Sequence, residues 1–354
     1  MQKATNDGIV LDFFGAANGY HGFKSYFREI FSSERYERIF VLKGGPGTGK
    51  SSLMRKTEEC FRENGFTYER ILCSSDPHSL DGVIAEKGGK YVAILDGTAP
   101  HTRDAEIPGA IDEIIYLGNA WESERLTENR KIILELNKKK QSNYRLAYEH
   151  LSFAGEIKGI KRTLESKSIN QKSLFSSVKS LAESLSKDER CGDSEVRLIS
   201  SFGRFGKYCT GSLERLADSK IKVKDCGTAS EIFLSALKEE LEKRGIKITA
   251  FPSVFDPNIT EAIFLHESAR AIILSDSDSS DIFPEEFISN DPNISVPEET
   301  EKLYDSFLNK ARHFFTFASD LHFELEKIYI SSMHFDKNEE LYQKVEKCVK
   351  NIAI

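Results

Sequence analysis

Eight residues, Gly44-Gly45-Pro46-Gly47-Thr48-Gly49-Lys50-Ser51, constrain this chain more than any others. They satisfy G-x-x-x-x-G-K-[ST] in full. Ahead of them Arg38-Ile39-Phe40-Val41-Leu42 reads as a buried strand. Behind them Leu53, Met54, Cys60 and Phe61 fall at helical spacing. The order is strand, glycine-rich loop, helix, as a phosphate-cradling loop requires. Glycines 44, 45, 47 and 49 let the backbone pass close to phosphate oxygens and turn its N–H groups toward them. The helix behind directs its N-terminal dipole at the same charge. Pro46, Thr48 and Ser52 complete the predicted binding stretch. Lys50 supplies a point charge to the β- and γ-phosphates, and the Ser51 hydroxyl is a ligand for Mg²⁺.

The surrounding pattern is α/β. Residues 8–14, 66–73 and 91–96 read as strands, with a helical turn near 80–84 and a glycine-rich loop at 15–23 leading into a helix to about Ser32. Strands alternating with helices predict a parallel sheet with right-handed crossovers. Asp96 closes the third strand on the ligand-binding rim, where it is placed to hold the metal through water; capping a turn at Gly97 is its plainer role. Asp76 and Asp81 lie on the same rim. Asp76 is a candidate to position water or an acceptor, and equally a turn residue before Pro77. Arg103 could reach a γ-phosphate and His21 a base or phosphate; for Arg103, and for His101 near it, a solvated loop is the plainer expectation. Lys138-Lys139-Lys140 reads as a solvated helix face, and Asp276 to Glu286 as an exposed acidic loop.

From about 108 to 188 glycine becomes rare, and a long helical segment, read as a hairpin, follows. Cys191 to Ser194 reads as a linker, 195–202 as a strand and 203–211 as a second glycine-rich loop. The chain then repeats itself at low identity. A shift of 180 lays Gly47-Thr48 on Gly227-Thr228, Gly65 on Gly245 and Asp76-Pro77 on Asp256-Pro257. The chemistry does not repeat: Lys50 falls on Ser230, Ser51 on Glu231 and Asp96 near Ser275. A carboxylate at 231 would repel phosphate. The last predicted helix, 301–323, carries Phe307, Phe314, Phe315 and Phe317 for core or interface packing. The expected fold is thus two sheet domains in tandem, 1–194 and 195–354, each with helical additions. The strands at 8–14 and 195–202 are candidates to cross between the halves.

Over residues 38 to 96 the chain resembles the P-loop NTPase superfamily. More narrowly it looks like a bacterial family of tandem P-loop proteins known as ATPase-like. The shared stretches are Lys43 to Ser52, Cys73 to Gly82 and Leu95 to His101. The resemblance implies two P-loop-type domains and ATP in at least one; the altered second loop departs from it.

Three functions stay open: an ATPase with an inert second domain, a kinase acting on a small molecule, and a nucleotide-dependent binding module or regulator with little turnover, with a protein partner or small-molecule acceptor left unnamed. Hydrolysing P-loop proteins often place a glutamate beside the strand-end aspartate; here Asp96 is followed by Gly97 and Thr98, which weakens a fast motor. A net charge of −7 and a pI near 5.8 give no general attraction to nucleic acid or an anionic membrane. No apolar run approaches the ~20 residues of a membrane span, and Met1 to Gly8 lacks the apolar core of a signal peptide. Six scattered cysteines without C-x-x-C fit reduced thiols in a cytoplasm.

Overall fold

The computed structural model describes residues 11–289 and 297–353. Residues 8–10 of the first predicted strand and the N-terminal segment lie outside them. The first half runs β1 (Leu11–Phe14), β2 (Ala16–Gly19), β3 (Gly22–Ser25), α1 (Phe27–Ile30), β4 (Arg38–Lys43), α2 (Lys50–Glu63), β5 (Thr67–Leu72), β6 (Leu80–Lys87), β7 (Lys90–Asp96), β8 (Asp112–Tyr116), α3 (Ser123–Glu128), α4 (Arg130–Ser166) and α5 (Gln171–Ser186). The second runs β9 (Glu195–Val196), β10 (Ser200–Gly203), β11 (Gly206–Cys209), α6 (Ser212–Leu216), β12 (Ser219–Lys224), α7 (Thr228–Lys243), β13 (Ile248–Pro252), β14 (Thr260–Leu265), β15 (Arg270–Ser275), α8 (Glu298–Ile330) and α9 (Lys337–Ile352).

The sheets are mixed, not wholly parallel. The first has the order β1-β5-β6-β7-β4-β8; β1–β5, β7–β4 and β4–β8 are parallel, while β5–β6–β7 is an antiparallel meander. The predicted helical turn at 80–84 is therefore a strand. Gly88 and Gly89, at φ +59° and +82°, close a two-residue hairpin between β6 and β7. Paired positive φ values are what such a turn demands, so Gly-Gly there was the hairpin signal. The glycine-rich loops are also hairpins, β2–β3 and β10–β11, and the helix expected from Phe23 shrinks to α1. The helical segment begins at Ser123, after a strand, β8, that pairs with β4.

The repetition is plain in the topology. The second sheet has the order β12-β15-β14-β13-β9 and the same alternation of parallel and antiparallel pairs. Its register slips between Phe251 and Pro252, as the first slips between Ile71 and Leu72, 180 residues earlier. The turns that follow match bond for bond. Cys73 N–H donates to Ser79 O and Ser253 N–H to Ile259 O; Asp76 accepts from His78 N–H and Asp256 from Asn258 N–H.

What passes between the halves is not the strands. β1 and β9 each stay in their own sheet, and Phe14 of β1 exchanges backbone bonds of 2.8 and 3.3 Å with Leu198, two residues past β9. The hairpins cross instead. Tyr20 N–H donates to Phe255 O at 2.8 Å, and a Cβ on Gly19 would lie 2.6 Å from that oxygen. Reciprocally, Gly203 lies against the Ser74 and Ser75 carbonyls. The long helices α4 and α8 pack along each other, and their continuations part company. α5 does not return along α4 as a hairpin; it buries Leu174, Val178, Ala182 and Leu185 against the second sheet and α7. α9 buries Val345 and Val349 against α2 and the first sheet. Phe315 is buried with them, whereas Phe317 faces solvent. The expected linker is tied down, with Gly192 N–H donating to Gly245 O at 3.0 Å. Among the described residues no helix is long and apolar enough to cross a membrane.

Candidate functional site

β4 delivers the loop and α2 receives it, with Gly49 in the left-handed region (φ +89°) as the residue before the helix. Gly47 is also left-handed (φ +66°). A side chain at either would be strained, so the loop's curvature depends on both. Thr48 is buried and donates from Oγ1 to Gly45 O at 2.9 Å. Lys50 folds back over the loop: its Nζ donates to Gly44 O at 3.0 Å and Gly45 O at 2.7 Å, and lies 3.6 Å from Asp96 Oδ2. The hydroxyls of Ser51 and Ser79 are 2.9 Å apart. Ser52 is exposed on the outer side of the first turn.

Asp96 has two engagements. Oδ2 faces Lys50, while Oδ1 accepts from Thr98 N–H at 2.8 Å and from the Thr98 hydroxyl. Burial pushes its carboxyl pKa up, and Lys50 draws it partly back. The strand-end aspartate is thus a turn cap and the loop lysine's counter-ion together. Asp76 belongs to the repeated turn, its Oδ1 accepting from His78 N–H at 3.1 Å.

Neither residue expected on a solvated loop is solvated. Arg103 is 2% exposed and bound to Asp112 at 2.7 Å, Ser33 and Phe31 O. It ties the segment after β7 to β8 and to the segment after α1. His101 is 7% exposed, stacked on Phe27, with Nε2 2.9 Å from Asp81 Oδ2. His21 sits at the β2–β3 tip beside a cavity of about 520 Å³ lined also by Tyr20, Arg162 and Asp256, toward the second half. Lys139 pairs with Glu135 on α4, and in the acidic loop Asp278 pairs with Lys224.

Sequence reasoning missed the loop's cover. The end of α8 and the turn into α9 lie over it: the Glu326 backbone meets Gly47, Tyr329 and Trp121 meet Gly45, and Asn338 Nδ2 donates to Thr48 O at 3.1 Å. Glu326 lies near the loop's positive end; His322, the Gly47 N–H and Lys50 lower its pKa against burial. No local motif announces this, because Glu326, Tyr329 and Asn338 lie nearly 300 positions away in sequence.

The second loop has the same frame and different contents. Ser230 Oγ donates to Lys224 O at 2.7 Å, the counterpart of Lys50 on Gly44 O. Glu231 is held by Lys158 at 3.0 Å and Arg162 at 2.8 Å, both from α4, and Arg162 also binds Asp256 at 2.6 Å. The end of α4 therefore covers this loop with ion pairs. Neither the protein-family models nor the curated proteins nor the solved structures compared with this chain gave a match, so the geometry carries the functional reading.

Proposed function

We propose that this chain is a Mg-ATP-binding protein of two tandem P-loop-type domains, about 1–194 and 195–354, that hydrolyses ATP at the first loop alone. In this reading Gly44 to Ser52 bind the phosphates, Lys50 bridges the β- and γ-phosphates, and Ser51 and Asp96 hold Mg²⁺, Asp96 through water. The observation that carries it is the constellation of Lys50, the left-handed Gly47 and Gly49, and a carboxylate 3.6 Å from the lysine. Phosphate oxygens arriving at the loop would take over the donors that Lys50 now spends on Gly44 and Gly45. The second loop is inert, since Glu231 and its cations fill the place of the phosphate donors. The protein works in a reducing cytoplasm, without nucleic acid.

The cover over the loop favours a second reading, a slow nucleotide switch. Bound phosphate would compete with Glu326 for the loop's N–H groups and so move α8 and α9. ADP release from Mg-ATP, followed with and without a metabolite mixture, separates the cases. Release without acceptor supports the ATPase, acceptor-dependent release a kinase, and binding without release the switch. Lys50→Ala abolishes ATP binding, and Ser230→Ala leaves it unchanged; a Lys50→Ala protein binding ATP at wild-type strength refutes the assignment.

A further inference from the structure

Beside the loop, and using none of its residues, three side chains of different chemistry converge. Cys73 follows β5, Asp81 is the second residue of β6, and His101 follows β7 by five residues. One ligand atom of each lies within 4.8 Å of the other two. Asp81 and His101 are 5% and 7% exposed, so two polar groups have been taken out of water at this point. Their mutual contact satisfies only part of their capacity: His101 Nδ1 is buried without a hydrogen-bond partner.

The duplicated half supplies the comparison. At the shift of 180 Cys73 becomes Ser253 and Asp81 becomes Glu261. The backbone turn is the same, but Glu261 binds Ser200 and Lys207. The repeated turn and strand therefore form without the cysteine and the aspartate, and the half that carries the lysine loop has both.

We propose that Cys73, Asp81 and His101 form a binding site for a zinc-like divalent transition metal, separate from the Mg²⁺ site at the phosphate loop. Sulfur, nitrogen and a single carboxylate suit a borderline-soft ion and not Mg²⁺, which takes oxygen ligands. Three protein ligands leave a fourth position for water. Binding would clamp β5, β6 and the segment after β7 together. It would thereby fix the turn whose Ser79 carbonyl accepts from Cys73 N–H and whose Ser79 hydroxyl meets Ser51.

The test is cobalt(II) titration of metal-free, reduced full-length protein without nucleotide. One equivalent is expected to give a near-ultraviolet sulfur-to-cobalt band and tetrahedral visible bands, both displaced by zinc. Cys73→Ser removes the sulfur band and His101→Ala weakens binding at least tenfold, while Cys226→Ser and Lys50→Ala change neither. Serine stands at the equivalent turn as Ser253, so Cys73→Ser folds, as circular dichroism will check. No sulfur band, or a band that survives in Cys73→Ser, overturns the proposal. Lys50→Ala keeps this outcome distinct from that of the ATP site, whose oxygen ligands give no such band.

Discussion

Removing the apolar contacts of α9 is expected to damage the first half of the molecule, although α9 is the last helix of the chain. Val345 and Val349 are both fully buried, one turn apart, in the cluster that holds the first sheet and α2. Each Val→Ala change removes two methylene equivalents, about 1.6 kcal/mol of transfer energy. Incomplete collapse of the space left behind raises this to about 2 kcal/mol per site. The two sites share neighbours, so the double variant should lose roughly 3–5 kcal/mol, less or more than the sum by their coupling. That is a large part of the ~5–15 kcal/mol that holds a domain. Urea unfolding is followed by Trp121, the single tryptophan, which packs against Tyr329 at the loop. The Trp121 transition should shift to lower urea, and nucleotide affinity should fall, because Asn338 at the start of α9 rests on Thr48 O. Val178→Ala on α5 is the counterpart; its loss falls on the second sheet, where that side chain is buried. A Val345→Ala/Val349→Ala protein within ~1 kcal/mol of wild type, with unchanged nucleotide affinity, would refute the exchange of helices. By the same reasoning a fragment ending at 194 leaves the outer face of α2 bare and does not fold to a nucleotide-binding unit.

Two further outcomes follow from buried charge. Arg197, 1% exposed, binds Glu69 across the halves at 2.5 Å and lies 3.6 Å from Glu195, which also pairs with Arg35 at 3.0 Å. Arg197→Ala strands the Glu69 carboxylate, while Glu195 keeps Arg35, and should cost about 3–5 kcal/mol, measured by urea unfolding; pairing it with Glu69→Gln should recover part of the loss. Burial pushes the His266 pKa down to about 4, and its Nε2 sits 3.0 Å from Thr249 Oγ1. The unfolded chain binds the proton first as pH falls below about 6.5, so stability is complete above that value and is lost toward pH 4. The difference between 6.5 and about 4 amounts to about 3 kcal/mol. Its partial exposure reduces this to roughly 2 kcal/mol. His266→Gln should flatten that part of the pH–stability curve, and an unchanged curve would show that the histidine titrates normally.

Much of the candidate site's backbone geometry could be read from the chain because it is local. Strand, loop and helix from Arg38 to Glu63 lie where glycine placement and apolar spacing put them, and Lys50 reaches Asp96 as two strand ends on one rim allow. The shift of 180 was legible from caps and turns, since Gly65, Gly245, Asp76 and Asp256 perform backbone tasks that short-range geometry dictates. Errors arose where local pattern and partner disagree. Leu80 to Lys87 is apolar enough for a helix or a strand, and only pairing with β5 and β7 decided it. His101 and Arg103 follow a strand end, which reads as surface, until Asp81 and Asp112 meet them in the interior.

The chain by itself determined the glycine-rich loop between β4 and α2, the replacement of Lys50 and Ser51 by Ser230 and Glu231 at the repeated position, and the presence of long helices. Those features rest on φ angles, residue chemistry and 3.6-residue periodicity, each complete within a few turns of backbone. Only the tertiary structure decided which half each helix and hairpin serves. An apolar stripe on α5 or α9 says that a face must be buried but not against what. The packing of α4 along α8 carries each continuation to the opposite sheet. That places Glu326, Tyr329 and Asn338 over a loop nearly 300 residues earlier, and Lys158 and Arg162 over its altered copy.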